Sequence, residues 1–135
     1  MSEATLAAQR IIVSTLRESA AVTALVPPLN IFDRSSRPEV FPCIVVGEAY
    51  AVGADTDCFE ASEVYAEVHV WTAENGMSAC KAIAGAVRRA MKDIDRVHDG
   101  FRTSFNFESS RFLRDPDGEH SHGIVEFMAL SEEAD

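Results

Sequence analysis

The sequence predicts an α+β domain, a mainly antiparallel sheet of about four strands with two helices packed on one face. Three observations predict it. Val64 to Trp71 alternates strictly, placing Val64, Ala66, Val68 and Val70 on one face and Tyr65, Glu67, His69 and Trp71 on the other, the pattern of a half-covered strand. After a turn at Asn75-Gly76, which tolerates positive φ, Cys80, Ile83, Ala84, Val87, Met91 and Ile94 recur at helical spacing. A second alternating run, Phe101, Thr103, Phe105 and Phe107, follows a turn at Asp99-Gly100. A sheet with one apolar face and a helix with one apolar stripe bury each other.

Taken in order, the chain opens with a helix that Ser2 can cap and that begins at Glu3, whose acid suits the positive end of the helix dipole. Leu6, Ile12, Val13, Leu16 and Ala20 form its apolar face. A short further turn from Ala21 stops at Val26, because Pro27-Pro28 removes two donors and disfavours helix before it. Ile31 and Phe32 sit in a brief extended piece, and Ser35 to Glu39 reads as a polar surface loop. Cys43 to Val46 is a short apolar, β-branched run after Phe41-Pro42 and predicts a strand buried on both faces.

From Gly47 to Ala61 the composition turns to Gly, Ala and acids without period. It predicts a long hairpin arm or mobile loop, the best candidate for a partner contact. The central strand and helix follow. Asp115-Pro116-Asp117-Gly118 is turn chemistry throughout, and Ile124 to Leu130 returns as a last strand with Val125, Phe127 and Ala129 on one face. Ser131 to Asp135 reads as an acidic tail.

A chain of 135 residues with no internal repeat is read as a single domain, 1–135. No apolar run approaches the ~20 residues of a membrane span, and no basic and apolar leader precedes the first helix, so a cytoplasmic protein without membrane association is expected. Cys43, Cys58 and Cys80 lack C-x-x-C spacing, and buried free thiols explain two of them better than zinc does. A net charge of −10, from 22 acids against 12 bases, argues against gripping nucleic acid through its phosphates, though not against letting DNA pass.

Motifs for chemistry are missing. The chain has no G-x-G-x-x-G, P-loop, H-E-x-x-H or G-x-S-x-G, so no catalytic residue, cofactor or metal is assigned. His120 and His122 flank Ser121 beside a turn and read as a solvated hairpin, and Asp115 and Asp117 imitate a calcium loop whose glycine arrives early and which no acid closes. His69, among Tyr65, Glu67 and Trp71, reads as packing or a subunit contact in preference to catalysis. Lys81, Arg88, Arg89 and Lys92 form a basic helix face that reads as solvated.

The arrangement resembles the tail-terminator, or tail-completion, family of long-tailed phages, especially the versions found in gene transfer agents. The resemblance rests on Leu25-Val26-Pro27 leaving the first helix, Phe41-Pro42-Cys43-Ile44-Val45 leading into a strand, Tyr65 to Trp71 followed by Ala82 to Ala90, and Phe112 to Gly118 before the last strand. It covers nearly the whole chain through the order and spacing of these pieces. It implies a non-enzymatic virion protein that forms a ring, a homohexamer, at the head-proximal end of a tail tube. There the ring ends tube polymerisation and joins the tail to a stopper or neck protein, with assembly in the host cytoplasm and a final place in the neck. Tyr65, His69 and Trp71 are the expected subunit-interface residues. Glu48, Asp55, Asp57, Glu60 and Glu67 are the expected lumen or partner-contact residues, past which DNA moves without specific binding. Two other readings stay open: another connector component, such as a stopper or head-completion protein, and, more distantly, a small cytoplasmic enzyme using Cys58 or His69.

Overall fold

The computed structural model describes residues 3–33 and 39–134. The proposed Ser2 cap and most of the 35–39 loop lie outside the described residues. Three α-helices, α1 (Ala4–Glu18), α2 (Ala20–Thr23) and α3 (Ser78–Ala90), accompany six strands: β1 (Ile31–Phe32), β2 (Cys43–Gly53), β3 (Ala61–Thr72), β4 (Asp95–His98), β5 (Phe101–Arg114) and β6 (Ser121–Glu133). They form one sheet in the order β1-β2-β3-β6-β5-β4, antiparallel except for the parallel β1–β2 pair. The α+β class is as expected, but the sheet has six strands and a third helix of one turn is present.

The two extra strands are the sheet's edges. β1 is only Ile31 and Phe32, tied to α1 by the Arg17 guanidinium donating to the Ile31 carbonyl and by Gln9 Nε2 donating to Asp33 Oδ2 at 2.9 Å. β4 is exposed at every residue, so it carries no alternation to betray it. Its turn into β5 uses Asp99 and Gly100, both at positive φ, the requirement of a two-residue hairpin whose twist matches the sheet.

α1 starts where the Glu3 carboxylate accepts from the Thr5 hydroxyl and from the Thr5 and Leu6 amides, both amides at 3.1 Å; the hydroxyl bond first and the amide bonds after it lower the Glu3 pKa. The sheet curls around this helix, which touches every strand from β1 to β6. Ala4, Ala7, Ala8, Ile11, Ile12 and Leu16 are buried beneath it, the alanines letting backbone approach closely, whereas Ala20, expected on this face, is exposed at the start of α2. Ser19 separates the two helices and caps the second with its hydroxyl. α3 lies on the same sheet face over β3 and β6. Its first turn is capped by Glu74 Oε1, which accepts from the Ala79 amide at 2.9 Å, and Gly76 is not among the residues with positive φ. The helix stops at Ala90, and Asp93 takes a left-handed φ of 59°, yet Met91 is buried and Ile94 packs against the core, so the apolar period outlasts the helix.

β2 does not end at Val46. It continues to Gly53 and pairs with β3 as far as Ser62, so the 47–61 segment is a paired β-arm with a short tip. Pairing slips between Val46 and Ala49, where Gly47 and Glu48 face Glu67 in a bulge. A Cβ on Gly47 would stand 2.7 Å from Asp33 Oδ1, so a larger residue in the bulge would require the Asp33 carboxylate to move. The last strand runs through Glu133, converting most of the expected tail into paired sheet. No helix among the described residues is long and apolar enough to cross a membrane.

Candidate assembly surface

The sheet face away from the helices carries Tyr65, Glu67, His69 and Trp71, all half-buried, as the alternation of β3 requires. What covers them comes from neighbouring strands. Tyr50 of β2 stacks on Tyr65 with ring centroids 5.0 Å apart. His122, paired with Trp71 in the β3–β6 register, stacks on the indole at 3.8 Å, and its Nε2 shares a 2.8 Å hydrogen bond with His69 Nδ1. Trp71 is thus not a bare aromatic awaiting a partner; the same chain covers one of its faces. Burial, with the His69 ring second, pushes the His122 pKa down to about 4, so this imidazole is neutral at ordinary pH.

Between these stacks lies a band of carboxylates. Glu67 stands directly opposite Glu126 in the β3–β6 register, and the bulge swings Glu48 toward the same place, so Glu48, Glu67 and Glu126 line one concavity across three strands. Like charges directly opposite on a sheet destabilise it, so folding does not ask for this placement. His69 Nε2 lies 3.3 Å from Glu67 Oε1 and 3.8 Å from Glu48 Oε2, yet it is buried and closes no hydrogen bond. Glu126 escapes sequence reasoning because only the strand register brings it to Glu67.

Asp55, Asp57 and Glu60 are elsewhere, exposed at the arm tip. Asp55 Oδ1 accepts from the Ala61 amide at 3.0 Å, and the Thr56 hydroxyl accepts from Cys58 and Phe59, so local bonds shape the tip. The candidate acids therefore form two groups: Glu48 and Glu67 on the face, and Asp55, Asp57 and Glu60 at the tip. Exposed large apolar residues include Tyr50, Val52 and Phe59 on the arm, Leu25, Leu29 and Val40 near the start of β2, whose Cys43 pairs with Trp71, and Leu113, which pairs with His122.

Two groups bring metal-type ligands together among the described residues: Glu48 with Glu67 and His69, and Asp115 with Asp117 and His120. Strand pairing and the 115–120 turn bring these residues together where linear spacing does not. In the second group, Asp117 accepts from the Glu119 amide at 2.8 Å and meets His120 Nδ1, contacts that lower its pKa to about 2, while His120 stacks on Phe41 in place of standing free in solvent. The first group leaves Glu48 largely in water, with its side chain 77% exposed. The purified protein is expected to retain no stoichiometric metal; elemental analysis finding about one zinc per chain would overturn this.

Cys43 and Cys80 are buried and Cys58 is exposed. Burial against Val70 pushes the Cys80 pKa up to about 11, which suits a packing thiol and not a nucleophile. One thiol per folded chain should therefore react with an alkylating reagent at neutral pH, and peptide mapping should find the label at Cys58. Rapid labelling at Cys80 would contradict the packing. Arg88 lies over the Phe107 ring at 3.8 Å and Lys81 over Phe112 at 5.6 Å, so the basic face of α3 rests on β5 aromatics.

The chain is thus a curled sheet with a stacked, acid-banded outer face and an exposed arm whose tip carries Phe59 among acids. The family model described as tail completion protein gp17 matches residues 10–132, and the chain belongs to that family, making it a structural protein of phage-type tails. Comparison with curated proteins finds no match. Among solved structures, the fold is similar to a chain in the virion of a native gene transfer agent (GTA) particle, with a TM-score of 0.87 and 22% identity over 98% of this chain and 99% of that one.

Proposed function

We propose that copies of this chain form a hexameric ring at the head-proximal end of a phage-like tail tube, end tube polymerisation there, and join the tail to a stopper or neck protein. Assembly takes place in the host cytoplasm, and the particle is of the phage or gene-transfer-agent kind. The observation that carries this reading is the outer sheet face, where Glu48, Glu67 and Glu126 form a band between the Tyr50–Tyr65 stack at one end and the His69–His122–Trp71 stack at the other. With the strands running around the ring, the aromatic ends of neighbouring copies, with Tyr65, His69 and Trp71, meet at subunit boundaries. The acid band then faces the passage, and a repelling wall lets DNA move without being held.

Particles assembled without the chain test this reading. Their tails should lose a defined length and fail to join heads, and high-resolution imaging of complete particles should place six copies in a ring at the neck. One copy there, or a ring of another order, would overturn the proposal. Co-purification of the chain with filled heads instead of tails would transfer the assignment to a stopper or head-completion protein.

The His122 stack predicts a pH dependence. The folded pKa lies below the ordinary histidine value of 6.5, so between about 4 and 6.5 the unfolded chain binds more protons. Stability contributed by the neutral ring is complete above about 6.5 and is lost as pH falls toward 4. Discounted for the half-open position of the ring, the loss should be about 1–2 kcal/mol. Thermal melts at pH 7 and pH 5 should show a smaller drop for His122→Gln than for the native chain; equal drops would remove the imidazole as the cause.

A further inference from the structure

We propose that Glu48, Glu67 and His69 bind a divalent metal ion of the zinc class in free exchange with solvent. The site lies within one chain and does not depend on the ring reading.

One carboxylate oxygen from each glutamate and a ring nitrogen of His69 all lie within 4.8 Å of one another, on two strands whose pairing fixes their backbones. His69 Nε2 stands 3.3 Å from Glu67 Oε1 and 3.8 Å from Glu48 Oε2. Ligands of one tetrahedral zinc, each bonded at about 2.0–2.1 Å, stand about 3.4 Å apart, so small side-chain rotations bring these three atoms onto a common ion.

The nitrogen carries the inference. His69 is 13% exposed at its side chain, but Nε2 itself is closed off from solvent and has no hydrogen-bond partner. A buried polar atom left unpaired is costly, and neither neutral tautomer repairs this one. With the proton on Nε2, the N–H does not reach Glu67 in hydrogen-bonding geometry. With the proton on Nδ1, donated to His122 Nε2 at 2.8 Å, a bare lone pair faces two carboxylates. A cation among the three resolves the conflict. His69 then has the arrangement usual for a metal-binding histidine, one nitrogen on the ion and the other donating to an acceptor that fixes the ring. Trp71, stacked on His122 at 3.8 Å, holds that acceptor in place.

The carboxylates point the same way. Glu126 opposes Glu67 in the strand register and lines the same concavity as Glu48, and no lysine or arginine pairs with any of the three among the described residues. Repulsion of this kind is relieved by a counter-charge placed between the acids. An imidazole beside carboxylates suits zinc, cobalt or manganese, whereas magnesium and calcium take oxygen ligands. Glu48 remains 77% exposed at its side chain, so the ion exchanges readily, is lost on purification and returns when supplied.

The chain's single tryptophan supplies the readout, since Trp71 stacks on the ring bonded to His69. Cobalt(II) is titrated into the full chain after treatment with a chelator. The expected result is saturable quenching with one ion per chain, reversed by zinc, and a melting temperature raised by zinc. Glu48→Gln, an exposed change that leaves the metal-free melting temperature unaltered, should weaken binding at least about tenfold, as should His69→Gln. Asp117→Asn, in the other ligand group, should leave it unchanged. Absence of saturable quenching, or unchanged binding in Glu48→Gln, overturns the site. Loss of binding in Asp117→Asn with Glu48→Gln unaffected moves the ion to the 115–120 turn and overturns it too. Magnesium binding as tightly as zinc would reduce the site to a diffuse attraction by acids, the third result that ends the proposal.

Discussion

Leu16→Ala should destabilise the chain by about 3–5 kcal/mol, a large part of the ~5–15 kcal/mol that holds a domain of this kind together. Leu16 has no exposed surface and lies in the helix around which the sheet curls. The cost of a deleted side chain depends on how far its surroundings can close over the gap. Here they are held apart, since α1 meets every strand, and hydrogen bonding across the sheet fixes the curvature of the wall. Urea unfolding monitored by the single tryptophan measures the effect, with Leu29→Ala as the reference. Leu29 is 86% exposed, so its truncation should change stability by no more than about 0.5 kcal/mol. Similar midpoints for the two variants would mean that the sheet collapses onto the shortened side chain and that the curled wall is not rigid.

The elements readable from sequence were those whose burial differs between their two sides. β3 is the clearest, since Val64, Ala66, Val68 and Val70 are all buried and the intervening residues are not. The stripe of α3 and the Phe101, Thr103, Phe105 alternation of β5 follow the same logic. Edge strands give no such contrast. Asp95 to His98 is exposed throughout, and β1 is held by the α1 side chains of Arg17 and Gln9, contacts that no local pattern encodes. Beyond Val46, β2 is exposed along its whole length, so pairing with β3 keeps it extended without a core-facing residue type to announce it.

The candidate surface was legible by face and not by neighbour. Alternation put Tyr65, Glu67, His69 and Trp71 together, and the structure places them together. That His122 lies over Trp71 and Glu126 opposite Glu67 is a matter of register between strands more than fifty residues apart, which periodicity within one strand cannot supply. Trp71 carries His122 over one face of its ring, whereas Phe59 at the arm tip is 42% exposed among the described residues.

Reversing the two groups of acids should give two different failures. The net charge of −10 per chain becomes about sixty negative charges in a hexamer, and the proposed ring puts Glu48, Glu67 and Glu126 on the passage wall. Repulsion inside a narrow pore is less screened than across open solvent, so in that proposed ring these groups would keep a duplex centred and mobile. Changing all three to lysine preserves the like-charge opposition of positions 67 and 126, and so should leave the fold's stability nearly unchanged. Tails of normal length should still form, but each new lysine can hold a phosphate, and DNA delivery should fall by on the order of tenfold or more. Lysines at Asp55, Asp57 and Glu60, which are exposed at the arm tip, should act earlier and reduce incorporation into tails if the arm makes the contact between copies. If acidity served only solubility, both triple variants would assemble and deliver normally once enough protein was supplied. Normal delivery with a lysine-lined face would end the repelling-wall explanation, and normal assembly with a basic tip would remove charge from the contact between copies.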